Sequence, residues 1–314
     1  MSFLFGKSQT FDPVKDIPNL SGKIILVTGG NNGLGKESIK QLAKHNPTRI
    51  YMGARSIKRA QEAIQDIKKE VPNTPITFLE IDLASFSSIK SAADTFLAEN
   101  DRLDVLINNA GVFSCPPGLT TEGYEIQFGT NYIGSALLTR LLLPILNKTS
   151  SEENSRNDVR VVNVSSEIYQ MTPKGGLPLS QMNTPLTEIN TITRYGQSKL
   201  ANLYFAKSCA KRYPNIKSVA LHPGLVQTNI GGNMAANPIL SFIFNQITRM
   251  ASVDVPTGTL NQLWASTANS DEVKNGAYYI PFMKEADRAD IMNDGDKAEE
   301  LWQWTEHEFE KHGF

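Results

Sequence analysis

The feature that most constrains this chain is a buried strand that runs into a glycine-rich turn and then a helix. Lys23–Val27 reads KIILV, a short β-branched and apolar run. Thr28-Gly29-Gly30-Asn31-Asn32-Gly33-Leu34-Gly35 comes next, and a helical pattern runs from Leu34 to Lys44. Glycines at such a junction permit a tight turn. They also let a phosphate approach the main chain and the helix N-terminus. Glycine marks ordinary turns too, so the position between strand and helix carries the argument. The spacing is Gly-x-x-x-Gly-x-Gly, which is neither Gly-x-Gly-x-x-Gly nor a P-loop ending in Gly-Lys-Ser/Thr.

The alternation then repeats. Strands are predicted at Arg49–Gly53, Ile76–Ile81, Leu103–Asn108, Val159–Val164 and Lys217–Leu221. Helices are predicted at Ser56–Glu70, Phe86–Glu99, Tyr124–Leu146 and Tyr195–Arg212. Strands alternating with helices predict an α/β chain, a single doubly wound parallel sheet with helices on both faces. Thr149–Asp158 reads as a polar surface loop, and Pro173–Thr193 as a long loop of the functional or flexible kind. With no internal repeat or linker, residues 20–314 read as one domain behind a leader, 1–19.

Composition closes off other classes. Lys+Arg number 31 against Asp+Glu 32, a net charge of -1 that argues against a nucleic-acid binder. No apolar run approaches the ~18 residues of a membrane-spanning helix. Cys115 and Cys209 are far apart and in no metal spacing, so no metal site and a reducing, cytoplasmic location are expected. Met1–Phe11 lacks the parts of a signal peptide. It reads as a flexible or docked leader, or as a segment whose Phe3, Leu4 and Phe5 touch a membrane or lipid-droplet surface.

Tyr195 and Lys199 stand four apart on a predicted helix and share a face. A free tyrosine titrates near pH ~10. A neighbouring ammonium favours the phenolate, which makes Tyr195 a candidate general acid and base. Taken alone, the spacing also describes a surface pair on an amphipathic helix.

Six motifs in order resemble the short-chain dehydrogenase/reductase family. They are Thr28–Gly35, Asp82-Leu83, Asn108-Asn109-Ala110-Gly111, Asn131 in Asn-Tyr-Ile-Gly, Ser165-Ser166 with Tyr195-Gly-Gln-Ser-Lys199, and Pro223-Gly224. The likeness runs from about Leu20 to Ile280. Ser198-Lys199-Leu200-Ala201-Asn202 is similar to the retinol-dehydrogenase and protochlorophyllide-reductase-like branch. The resemblance implies a Rossmann-type sheet, hydride transfer between a nicotinamide and a carbonyl or alcohol, and a catalytic set of Asn131, Ser166, Tyr195 and Lys199. Ser166 would hydrogen-bond the substrate oxygen, and Asn131 would hold a water beside Lys199.

The cofactor residues it implies are Gly29, Asn31, Asn32, Gly33, Leu34 and Gly35 in the loop. Asp82 and Leu83 would take the adenine, and Asn108, Ala110 and Gly111 the ribose side. Pro223, Gly224, Val226 and Thr228 would hold the carboxamide, with Tyr195 and Lys199 at the nicotinamide ribose. The second strand ends in Met52-Gly53-Ala54-Arg55 with no acid, so Arg55, helped by Lys58 or Arg59, points to NADP(H). The alternative is an arginine on a solvated helix start. The resemblance also implies a homodimer through helices flanking the sheet, and a substrate-covering segment at about 225–252. Pro238–Met250 within it is apolar and reads three ways: cover for an apolar carbonyl or alcohol substrate, membrane contact, or core. The competing function is a non-catalytic NADP-binding sensor or lipid-surface protein on the same fold. His222 and Cys115 read as structural, and Trp302 and Trp304 as packing.

Overall fold

The computed structural model describes residues 11–152, 158–226, 253–286 and 294–314. Among them lie β1 (Ile24–Thr28), β2 (Arg49–Ala54), β3 (Ile76–Glu80), β4 (Val105–Asn108), β5 (Val159–Val164), β6 (Ile216–Leu221), β7 (Tyr278–Ile280) and β8 (Lys284–Glu285). They form one sheet in the order β3-β2-β1-β4-β5-β6-β7-β8. Every pairing from β3 to β7 is parallel. β8 departs from the all-parallel expectation: it turns back through Pro281–Met283 and pairs antiparallel with β7. The order reverses between β1 and β4, which opens a crevice outside the carboxyl ends of those strands.

The longer helices among the described residues are α1 (Gly33–Ala43), α2 (Ile57–Glu70), α3 (Phe86–Glu99), α4 (Gly134–Ser151), α5 (Thr191–Arg212), α6 (Val255–Thr267) and α7 (Gly295–Lys311). The central strands are buried along their whole length, so alternate residues feed two cores. Leu26, Leu106 and Val161 join one core beneath α3, α4 and α5; Val27, Ile107 and Val162 join the other beneath α1 and α6. Phe11, Ile17 and Leu20 are buried in the second core, so the described part of the leader is docked.

The predicted helix Tyr124–Leu146 is interrupted. The Glu125 carboxylate accepts from the Gln127 and Phe128 amides and caps a single turn, Ile126–Phe128. A wider π turn, Gly129–Ile133, follows before α4 begins. Asn131 lies in that turn, a kind of irregularity frequent at functional sites. α4 runs into the predicted Thr149–Asp158 loop as far as Ser151, and Thr149 is buried, accepting from the Leu103 amide at 3.0 Å.

α7 crosses the outer side of α4 and α5. Trp302 stacks on Phe205 at 5.8 Å, Arg212 lies 4.3 Å from the Trp302 ring centre, and Arg140 pairs with Glu306. The apolar faces of α4 and α5 on that side are therefore packed inside the chain. Trp302 and Trp304 are packing residues, as their sequence context suggested.

Candidate active site

The turn after β1 is closed to side chains. Gly29 and Gly33 have φ of +66° and +51°, in the left-handed region. A Cβ on Gly35 would stand 2.6 Å from Asn109 Nδ2 and 2.9 Å from the Gly29 carbonyl carbon. The Asn32 side chain caps α1 by accepting from the Gly33 amide at 2.8 Å. Asn109 braces the turn from β4, donating through Nδ2 to the Thr28 carbonyl at 2.8 Å. Thr28 Oγ1 in turn accepts from the amides of Asn109 and Ala110. Asn31, Gly29 and Ala110 are half-buried on the open side, and Leu34 is buried beneath them.

Other predicted residues surround the same crevice. Asp82 is half-buried after β3 and accepts from the Ala84 amide. The buried Leu83 presents its carbonyl to Gly134, where a Cβ would clash. Arg55 is exposed at the end of β2, with Lys58 and Arg59 exposed in the first turn of α2. Gly224 has φ of +93° after Pro223. Val226 packs against Gly258 of α6, whose Cβ position would also lie 3.3 Å from Leu34. Thr228 and the Pro238–Met250 segment lie outside the described residues. The Asn108 side chain turns into the sheet and donates to Thr139 Oγ1 and Asn163 Oδ1, both at 3.0 Å, which leaves its main chain to face the ribose side. Adjacent strand residues face opposite ways, and it is Asn109 that reaches the glycine turn.

The catalytic candidates converge at the ends of β4 and β5. Lys199 Nζ is buried and donates to the Val164 carbonyl at 2.8 Å, 5.5 Å from the Tyr195 ring centre. Ser166 lies beside the Tyr195 phenol. Gly111 closes the group, its Cβ position 3.2 Å from Asn131 Oδ1 and 3.5 Å from Lys199 Nζ. Asn131 Oδ1 accepts from the Val112 amide at 2.7 Å, while Nδ2 donates to the Val112 carbonyl and Ser198 Oγ. Both amide donors are thus committed to protein groups, so the side chain acts here as a clamp.

The electrostatics differ from the simple ammonium argument. Burial pushes the Tyr195 phenol up, and Ser166 is the group that pulls it down. Burial brings Lys199 down to about 8. The lysine nitrogen is drawn to a carbonyl and stands over the ring, and burial decides the state of the phenol. The site therefore holds Tyr195 protonated. His222 is also pushed down, to about 4, by burial and then by Lys199, and is neutral at ordinary pH. Phe113, which sequence reasoning passed over, sets its ring edge-on to Tyr195 at 4.7 Å.

Residues 23–178 match the short chain dehydrogenase family. The chain is 35% identical to the short-chain dehydrogenase/reductase drtF of Aspergillus calidoustus, over 94% of this chain and 96% of that protein. The chain belongs to the short-chain dehydrogenase/reductase family. Human retinol dehydrogenase 14 is 32% identical, over 91% of this chain and 86% of its own, which places the chain in the retinol-dehydrogenase-like branch. The NADPH-bound carbonyl reductase from chicken fatty liver superposes with a TM-score of 0.62 and 25% identity, over 85% of this chain and 94% of that one. As a member of this family the chain is an oxidoreductase that uses a nicotinamide cofactor. The residues present fit such a group: the glycine turn excludes a Cβ where a pyrophosphate would need the main chain, and Gly111 leaves Lys199 reachable. Among the described residues no helix is long and apolar enough to cross a membrane.

Proposed function

We propose that this enzyme interconverts a carbonyl and an alcohol on an apolar substrate, with NADP(H) as cofactor and Tyr195 as general acid and base. The observation that carries the reading is the convergence of Tyr195, Ser166 and Lys199 on one point beside Gly111. A bound nicotinamide supplies or accepts the hydride. Tyr195 Oη gives its proton to the carbonyl oxygen in reduction and takes it back in oxidation. Ser166 Oγ orients that oxygen and stabilises the charge developing on it. Lys199, fixed by Val164, offers its ammonium to the ribose side and to the phenolate that forms. Asn131 holds Val112 and Ser198, and Ser198 Oγ donates to the Tyr195 carbonyl at 2.7 Å, so the clamp reaches the catalytic helix. The glycine turn with Asn32, the Asp82-Leu83 pair and Ala110 would hold the nucleotide.

NADP over NAD is favoured by the exposed Arg55 where β2 ends without an acid. The NADPH held by the chicken carbonyl reductase agrees with it. An apolar substrate is favoured by the rim. Leu119, Met171, Ile192, Leu225 and Phe282 are exposed, and all lie in segments that follow the carboxyl ends of β4 to β7 or open α5. The experiment is titration with NADPH and NADH, then NADPH oxidation with a panel of apolar aldehydes and ketones, on wild type and Tyr195→Phe. Expected are NADPH preference, turnover of a panel member, and a Tyr195→Phe variant that binds NADPH normally with kcat reduced at least 100-fold, the contribution of one general acid. A Tyr195→Phe variant that turns over like wild type would overturn the catalytic assignment. Tight NADPH binding with no turnover on the whole panel would favour a sensor.

A further inference from the structure

Next to Tyr195 lies Arg194, and it is almost fully buried. Its side chain is 2% exposed and that of its partner Glu125 is 0% exposed. Arg194 Nη1 donates to Glu125 Oε1 at 2.6 Å, Nη2 to the Cys115 carbonyl at 2.9 Å, and Nε to the Ile189 carbonyl at 3.2 Å. Glu125 Oε2 takes the Gln127 and Phe128 amides, and the Glu125 amide donates to the Met182 carbonyl. Gln127 repeats the pattern one step away. Its Oε1 accepts from the Ser114 amide at 3.0 Å, and its Nε2 donates to the Thr191 carbonyl. Thr191 Oγ1 then donates to the Cys115 carbonyl at 3.1 Å.

Three segments meet at this hub: the stretch after β4, the capped turn before Asn131, and the chain that leads into the first turn of α5. The stretch after β4 is under strain. Ser114 has φ of +57°, a conformation that a non-glycine residue keeps only where its surroundings impose it. Val112, Phe113, Ser114 and Cys115 are each tied back, to Asn131, the Tyr195 ring, Gln127, and Arg194 with Thr191. A salt bridge buried this deeply is an expensive way to gain stability alone, since apolar side chains of similar volume usually do as well.

We infer that the Glu125–Arg194 pair, together with Gln127, positions Tyr195 and the Val112–Cys115 wall for the reaction, resting on the catalytic reading of Tyr195 given above. Arg194 fixes the first turn of α5 from the residue beside the phenol, and the same guanidinium holds the wall on which the phenol packs. Neither residue touches the reacting atoms. They act through the placement of Tyr195 and Phe113. A lysine keeps the charge at position 194 but cannot reach three acceptors at once.

The test uses Arg194→Lys and Gln127→Met in the full chain, with two readouts. The first needs no substrate: labelling of thiols with 5,5′-dithiobis(2-nitrobenzoate). Cys115 is half-buried in the wall, and Cys209 is buried in the core. In both variants Cys115 labelling rises at least fivefold, while Cys209 stays protected and the NADPH dissociation constant stays within threefold of wild type. The second is NADPH-dependent reduction of decanal. There kcat falls at least 30-fold, the KM for NADPH is unchanged, and Arg194→Lys with Gln127→Met falls less than the product of the single losses because both act on one wall. Unchanged Cys115 labelling in folded variants overturns the inference. So does equal unmasking of Cys115 and Cys209, which would mark general loosening. A wild-type protein that binds NADPH and reduces neither decanal nor any other aldehyde would instead count against the catalytic reading, and the labelling result would separate the two.

Discussion

Gly35→Ala tests the glycine turn most directly, because two effects oppose each other and the geometry decides between them. Gly35 is inside α1, where alanine is better than glycine by about 1 kcal/mol. Propensity alone therefore predicts a stabilised protein. The Cβ would, however, sit 2.9 Å from the Gly29 carbonyl carbon and 2.6 Å from Asn109 Nδ2, and closer still to the Gly29 carbonyl oxygen. Carbon atoms in contact prefer about 3.5–4.0 Å. The Gly29 peptide must therefore retreat by about 0.6–1 Å, and two of the obstructing atoms are backbone. Overpacking of this kind costs about 1–3 kcal/mol. The retreat also pulls on the Asn109 bond to the Thr28 carbonyl, which adds part of a buried hydrogen bond, about 1 kcal/mol. The net expectation is a loss of about 1–3 kcal/mol in urea unfolding. A weakening of NADPH binding by about tenfold or more should accompany it, equivalent to ~1.4 kcal/mol. Gly175→Ala is the control, since nothing lies within 4 Å of its Cβ position. It should change stability by no more than about 0.5 kcal/mol. A Gly35→Ala protein that is as stable as wild type and binds NADPH equally well would refute the reasoning.

His222 gives the fold an acid-side weakness. Its pKa is held at about 4, below the ~6.5 of an unfolded chain, so the unfolded state takes up the proton first as pH falls. Its contribution is complete above pH ~6.5 and declines towards pH 4, by about 3 kcal/mol in all. His222→Gln should flatten that part of the urea stability profile between pH 7 and 4.5, and superimposable profiles would dismiss the assignment. On the opposite side of the sheet, Trp302→Ala removes the stack on Phe205 and the Arg212 contact. A half-exposed tryptophan in such a packing should cost about 2–3 kcal/mol and leave NADPH binding unchanged. Loss of nucleotide binding in a folded Trp302→Ala protein would contradict the separation of the two regions.

The parts legible in the sequence are those fixed by local rules. The glycine turn could be read because a buried strand, a cluster of glycines and a helix start are adjacent in the chain. The strand order from β3 to β6 follows from the alternation and from right-handed crossovers. Tyr195 and Lys199 were legible because their spacing is helical. What could not be read depends on partners far away. α5 starts at Thr191 and not at Tyr195 because Asn190 caps it, accepting from the Thr193 amide, a signal masked by the Pro-rich stretch before it. The π turn at Asn131 depends on the Glu125 cap, and Glu125 is held by a residue 69 positions later. Within Asn108-Asn109 the motif drew attention to Asn108, while the period of two in a strand sends that side chain inward and leaves Asn109 to reach the glycine turn. Phe113 carried no motif at all, and only the fold places it on the Tyr195 ring. The apolar rim is likewise a property of exposure, which hydrophobic counting along the chain cannot give.

The anchors of the catalytic group share one character. Lys199 donates to the Val164 carbonyl, Ser165 Oγ to the Lys199 carbonyl, Ser198 Oγ to the Tyr195 carbonyl, and Asn131 binds the amide and carbonyl of Val112. A carboxylate bonded to Lys199 would place the ammonium in a ready-made ion pair and raise its pKa. A carbonyl fixes its position and leaves its charge uncompensated, and burial then brings it to about 8. On the proposed reading, that weakly held charge is what the phenolate would meet when Tyr195 gives up its proton. Glu125 is the deeply buried carboxylate of this neighbourhood, and Arg194 neutralises it. That pair closes on itself, and burial alone brings the Lys199 ammonium down.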